Sequence, residues 1–111
     1  PVPKINFDLT PPHVSELNLR SRSFGRHGTT LHFGVDETSK IDAEYYAMRH
    51  GQRAGFAGWH AWHAHVGYND VAFGGASKHF HPRPGRYMAI IRATDTSNNA
   101  ARKRVRHFRI R

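Results

Sequence analysis

The chain has 111 residues, with 17 Lys and Arg against 8 Asp and Glu, 10 His and no Cys, for a net charge of +9 with the histidines neutral. That length closes one two-layer core without staples, and the missing cysteines exclude disulfides, thiolate metal sites and a cysteine nucleophile. At 38% hydrophobic residues the chain can fold, yet no run approaches the roughly 18 apolar residues of a membrane helix.

Residues 1–13 hold four of the six prolines. Proline fixes φ and removes a ladder donor, so an extended lead-in or interdomain linker is expected there, with a single folded domain over 14–111. The opening on Pro1, without a signal-peptide pattern, suits a processed product or an excised segment. Val14 to Leu19 reads as the first core strand, followed by a Ser/Arg/Gly-rich turn over 20–28. Thr29 to Val35 alternates, placing Leu31, Phe33 and Val35 inward, and after the turn at Asp36–Ser39 so does Ile41 to Met48, with Ile41, Ala43, Tyr45 and Ala47 on one face. Arg49–Gly58 is expected to be a polar loop. Trp59 to Phe73 holds two strands or one bent strand, broken at Gly67, and 74–84 is a long loop. A Pro84-Gly85 turn then feeds the clearest strand of the chain, in which Tyr87, Ala89, Ile91 and Ala93 alternate with Met88, Ile90, Arg92 and Thr94 before the turn-forming run Asp95–Asn99. The last strand spans about Val105 to Ile110. About seven short strands with turn chemistry between them and no amphipathic helix give an all-β, Greek-key β-sandwich.

The stretches Asp8-Leu9-Thr10-Pro11-Pro12, Thr29–Phe33, Gly67–Phe73, Pro84-Gly85-Arg86-Tyr87, Ala93-Thr94-Asp95 with Asn98-Asn99, and Phe108-Arg109-Ile110 together resemble the Ig-like or fibronectin-III-like modules of secreted and cell-surface bacterial proteins. The resemblance runs over about 8–110 and implies a spacer, assembly or adhesion module, not an enzyme, secreted or at the cell surface and packed against neighbouring domains or copies. The family's usual Gly-Asn after the aspartate is Asn98-Asn99 here, and Asn tolerates the left-handed backbone that the turn needs. Tyr87, just after the turn, stands where such sandwiches tie a tyrosine hydroxyl back to nearby backbone.

Three constellations bear on function. His63 and His65 share one strand face, and so do His79 and His81. On neighbouring strands the two pairs would offer imidazoles to Zn²⁺, Cu²⁺ or Ni²⁺, with Met48 or Met88 as soft ligands for copper. No spaced metal motif accompanies them, so exposed histidines on a basic surface, with no resident cofactor, are the plainer expectation. Trp59, Trp62, Tyr46 and Tyr68 among basic residues suggest a stacking platform, although the odd spacing of the two tryptophans puts one of them against the core. Arg102, Lys103, Arg104 and Arg106, continued by Arg109 and Arg111, read as a basic stripe which, with Trp62, would face an anionic glycan or other polyanion. The same stripe also suits a solvated, protected sheet edge. Nucleic acid is the weaker partner, since no recognition helix or RNA-binding motif is present. The serines lack a nucleophile-elbow context, and Asp36, Glu37, Asp42 and Glu44 fall on a turn and an outward strand face, so no catalytic set is expected.

Overall fold

A computed structural model describes residues 10–111, and among them there is no helix. The strands are β1 (Val14–Leu19), β2 (Ser23–Phe24), β3 (Thr29–Val35), β4 (Ser39–Arg49), β5 (Gln52–Ala64), β6 (Gly67–Phe73), β7 (Gly85–Asp95) and β8 (Arg104–Ile110). They form a three-stranded sheet in the order β1-β3-β6 and a five-stranded sheet in the order β2-β8-β7-β4-β5. Every pairing is antiparallel except β2 with β8, which is parallel.

The inward faces are those the alternation dictates. Leu31, Phe33 and Val35 from β3, Ile41, Ala43 and Tyr45 from β4, and Tyr87, Ala89, Ile91 and Ala93 from β7 are all buried in one core. Burying such side chains stabilises by about 1.5–3 kcal/mol each, and the two sheets place them face to face. Phe24, Phe73, Phe80 and Phe108 complete the core and surround Tyr45 and Tyr87 with edge-on and stacked rings.

Two expectations need correction. The segment Arg49–Gly58 is not a loop: β4 turns at His50-Gly51 and β5 starts at Gln52. Both turn residues have positive φ, 52° and 76°, which is the backbone of a two-residue hairpin whose twist matches its strands. Inside the supposed turn over 20–28, Ser23-Phe24 pairs with Arg109-Ile110 and sends Phe24 into the core. The segment Trp59–Phe73 holds the end of β5 and all of β6, divided before Gly67 as expected, and the two strands belong to different sheets. The Pro-rich lead-in lies outside the described residues over 1–9. Within 10–13, His13 donates its N–H to Asp36 Oδ1 at 2.7 Å, fastening the start of β1 to the β3–β4 turn.

Two turns set the ends of β7. The Tyr87 hydroxyl donates to the Arg83 carbonyl at 2.8 Å and accepts the Arg83 N–H at 3.1 Å, as the sequence led us to expect. At the other end, Asn98 adopts a φ of 64° and the turn folds around buried Asp95. Its carboxylate accepts the backbone N–H groups of Ser97 at 2.9 Å and Asn99 at 2.8 Å, and the Asn99 side-chain amide at 3.1 Å. Burial alone would raise the pKa of this carboxyl. The bonds from Asn99, the Glu37 side chain and the Ser97 N–H outweigh that and hold it below the usual carboxylate value. A carboxyl whose pKa is lower folded than unfolded stabilises the fold above its unfolded value, and that contribution is lost as the pH falls from about 4 through the folded value. Urea titrations from pH 5 to 2 should therefore show a stability loss in the parent that is smaller in Asp95→Asn, which starts out less stable at pH 5.

Candidate functional site

The polar side chain deepest in the sandwich is Tyr45, which is fully buried. Its hydroxyl accepts the Gly74 N–H at 3.1 Å and lies 2.7 Å from His60 Nδ1. His60 Nε2 lies 2.8 Å from Ser77 Oγ, and that oxygen also accepts the His79 N–H at 3.2 Å. The result is a continuous Tyr–His–Ser chain from the core to the 74–84 loop. Its hydrogens can be assigned by counting. The phenol proton is fully buried, and of the two hydrogen-bond partners of Tyr45 only His60 Nδ1 can accept it, since the Gly74 N–H is itself a donor. Tyr45 therefore donates to Nδ1, whereas partly exposed Ser77 can turn its own proton to solvent. His60 is then the Nε2–H tautomer and donates to Ser77. Burial, with the His79 imidazole nearby, lowers the His60 pKa and keeps the ring neutral, while burial raises that of Tyr45 well above its ordinary value.

This chain anchors the loop that closes one side of the sandwich. Phe80 bridges to Gly58 on β5 and is wholly buried against Tyr45, with ring centroids 4.4 Å apart. The Trp59 N–H donates to the His79 carbonyl at 3.1 Å, so the loop covers part of the β5 edge. Only glycine permits this at position 58, because a Cβ there would collide with the His79 carbonyl and the Phe80 backbone.

The opposite side is closed by arginines. Arg104 and Arg106 share the parity of buried Phe108 and Ile110, so they point between the sheets. Arg104 Nη2 donates to the Val14 carbonyl at 3.0 Å, and Arg106 donates from Nε at 3.2 Å and Nη2 at 2.9 Å to the Leu17 carbonyl. β1 slips register between Ser15 and Asn18, with Glu16 at a φ of 51°. Leu17 thus falls within the irregularity of the ladder, and the guanidinium takes its carbonyl. Burial, followed by the charges of Arg104 and Arg22, lowers the Arg106 pKa.

The placement of the nominated residues follows. Arg104 and Arg106 are inter-sheet tethers and not members of a solvated outer stripe, whereas Arg102 and Lys103 are exposed in the loop before β8. Trp62 points inward and stacks on Phe73 at 6.3 Å, so it does not share an open face with those cations. Trp59 is the exposed tryptophan, stacked on His79 at 4.2 Å. His63 lies on the outer face of β5, His65 follows that strand, and His81 is exposed in the long loop. Among the described residues, no three His, Cys, Asp or Glu side chains come close enough to hold a metal ion. The histidine that matters most to the fold is His60, whose parity with Trp62 and Ala64 marks it as inward. Neither a scan against protein-family models nor a search of the curated proteins finds a match to the chain.

Two measurements check this network. Tyr45→Phe removes the partner of both the Gly74 N–H and His60 Nδ1 and should cost about 1–3 kcal/mol in a denaturant titration. Because His60 has a lower pKa folded than unfolded, its contribution is complete above about pH 6.5 and declines as the pH falls below that value. His60→Gln should flatten the stability profile between pH 7.5 and 5 while leaving the separate loss below pH 4.

Proposed function

We propose that this chain is a non-catalytic spacer module, an Ig-like or fibronectin-III-like sandwich that stands in line between neighbouring domains of a secreted or cell-surface bacterial protein. The observation that carries the reading is the relation of its first and last strands. Arg104 meets Val14 and Arg106 meets Leu17, so β1 and β8 run side by side in the same direction. The chain therefore comes in at the pole of Val14 and goes out at the pole of Ile110, the far end of the sandwich. β2 repeats this direction, since Ser23 and Phe24 pair in parallel with Arg109 and Ile110.

Parallel first and last strands matter mechanically. Tension applied through the two ends loads the β1–β8 tethers and the β2–β8 ladder in shear, so their bonds resist together. The strand order gives further support, as β3 pairs with β6 within the smaller sheet and β4 with β7 within the larger. Use of two of the edges favours a spacer over assembly by strand addition: the 74–84 loop covers β5 at Gly58 and Trp59, and two β1 carbonyls are taken by arginines. The Tyr45–His60–Ser77 chain supports a non-catalytic reading. With its proton on Nε2, the imidazole donates to the serine and has no free lone pair to activate it.

Single-molecule stretching of a tandem array tests the proposal. The parent domain should unfold in one step, and Arg104→Gln/Arg106→Gln should lower the unfolding force more than Arg102→Gln/Lys103→Gln, which removes the same charge outside the tether. Equal forces for the two variants would contradict it. A serine-directed fluorophosphonate should leave Ser77 unlabelled, and stoichiometric labelling of Ser77 would overturn the non-catalytic reading.

A further inference from the structure

We propose that the outer face of the five-stranded sheet, at the pole where β8 ends, carries a groove that binds a carboxylated polysaccharide. A cavity of about 640 Å³ lies there, with Arg22, Arg86 and Arg109 around it, His50 and His107 beside them, and Met48 in its floor. Two of the arginines are neighbours in the sheet, and the third flanks it just before β2. Arg86 on β7 lies directly opposite Arg109 on β8, and Arg109 lies opposite Ser23, the neighbour of Arg22. Tyr87, Phe108 and Ile110 are buried, so Arg86 and Arg109 both point outward.

This arrangement is unfavourable for the protein alone. Directly opposed residues of an antiparallel pair have Cβ atoms about 5 Å apart, and like charges there destabilise the sheet. Among the described residues, no carboxylate pairs with them. The ion pairs found among the described residues are His32 with Glu16 and Asp70, and Lys40 with Asp42, and no carboxylate lines the cavity. An anion lying across β7, β8 and β2 supplies the missing charge.

The shape and lining of the groove select the class of anion. A guanidinium fork matches the planar carboxylate in two parallel hydrogen bonds. Adjacent strands are about 4.8 Å apart, so Arg86 and Arg109 stand at a spacing comparable to one sugar unit, with Arg22 at the rim of the groove, and suit a polymer with one carboxylate per monosaccharide. Met48 gives the apolar faces of sugar rings a surface to lie on. Nucleic acid fits less well, because the aromatic rings at the groove, Tyr87 and Phe108, are only 6% and 4% exposed and offer no open plane on which a base could stack.

The test titrates the whole chain, at 0.15 M salt, with polygalacturonate, an oligothymidylate and poly-glutamate, and compares Arg86→Gln/Arg109→Gln with Arg102→Gln/Lys103→Gln. The expected result is tightest binding to polygalacturonate, weakened at least about tenfold by the first variant, as loss of charge-assisted bonds implies, and less than about twofold by the second, which loses only screened surface charge. Equal weakening by both variants would reduce the groove to diffuse charge. Tighter binding of either comparator would overturn the ligand class, and no polygalacturonate binding would overturn the site. Relief of the opposed charges should leave the melting temperature of the groove variant at or above that of the parent. If the double variant does not fold, Arg109→Gln alone carries the comparison.

Discussion

A phenol buried as completely as that of Tyr45 has to find hydrogen-bond partners inside the protein, and the ones it finds organise one whole side of the sandwich. Leaving it without partners would cost several kcal/mol, comparable with the net stability of a small domain. Its acceptor side holds Gly74 where β6 ends, and its proton holds His60 on β5. His60 in turn holds Ser77, and Ser77 fixes the loop that drives Phe80 into the core. Strand, histidine, serine and plug depend on the same hydroxyl. The proton order that closes the sandwich also occupies the nitrogen a nucleophile would need, which is what the proposed non-catalytic reading rests on.

The other side is closed by a different device. Along the inward face of β8, Phe108 and Ile110 are buried in the core, while Arg104 and Arg106 hold the same face at the start of the strand, opposite β1. The two arginines cross between the sheets on long stems and bond to carbonyls of β1. Arginine suits this place because its planar head reaches one carbonyl with two N–H groups. Part of the net positive charge is thus structural. The remainder is unevenly used: exposed Arg102 and Lys103 sit apart, while Arg22, Arg86 and Arg109 crowd one end of the larger sheet. The proposed in-line spacing and the proposed anion binding are compatible, since the tethers lie between the sheets and the groove lies outside them.

Most of the fold is legible in the sequence where apolar and polar residues alternate, as in Leu31-His32-Phe33 and Tyr87–Ala93, because period two specifies both strand and face. It is illegible where alternation fails. The first half of β5, Gln52–Gly58, carries Gly, Ala and Arg without a buried stripe and joins the sheet only by pairing with β4, and the His50-Gly51 turn was its one local mark. Phe24 and Phe80 sit among turn residues and reach the core through tertiary placement that no local pattern records. Arg104 and Arg106 teach a different lesson. Their parity with Phe108 and Ile110 already pointed inward, but their charge suggested solvent. His60 was equally readable by its parity with Trp62 and Ala64, whereas its bond to Ser77 depends on a loop that only the folded chain brings near. The groove arginines lie too far apart in sequence to appear as a cluster before β2, β7 and β8 are aligned.

The central claim is that His60 closes the sandwich as a neutral, Nε2-protonated ring between Tyr45 and Ser77. Long-range ¹H–¹⁵N correlation spectra of the imidazoles at pH 7 test it directly. The account requires His60 to show a protonated Nε2 and an unprotonated Nδ1, with an Nε2–H shift that moves in Ser77→Ala. A doubly protonated ring, or a proton on Nδ1 with Nε2 free to accept from Ser77, would contradict it and reopen the array as a reactive site.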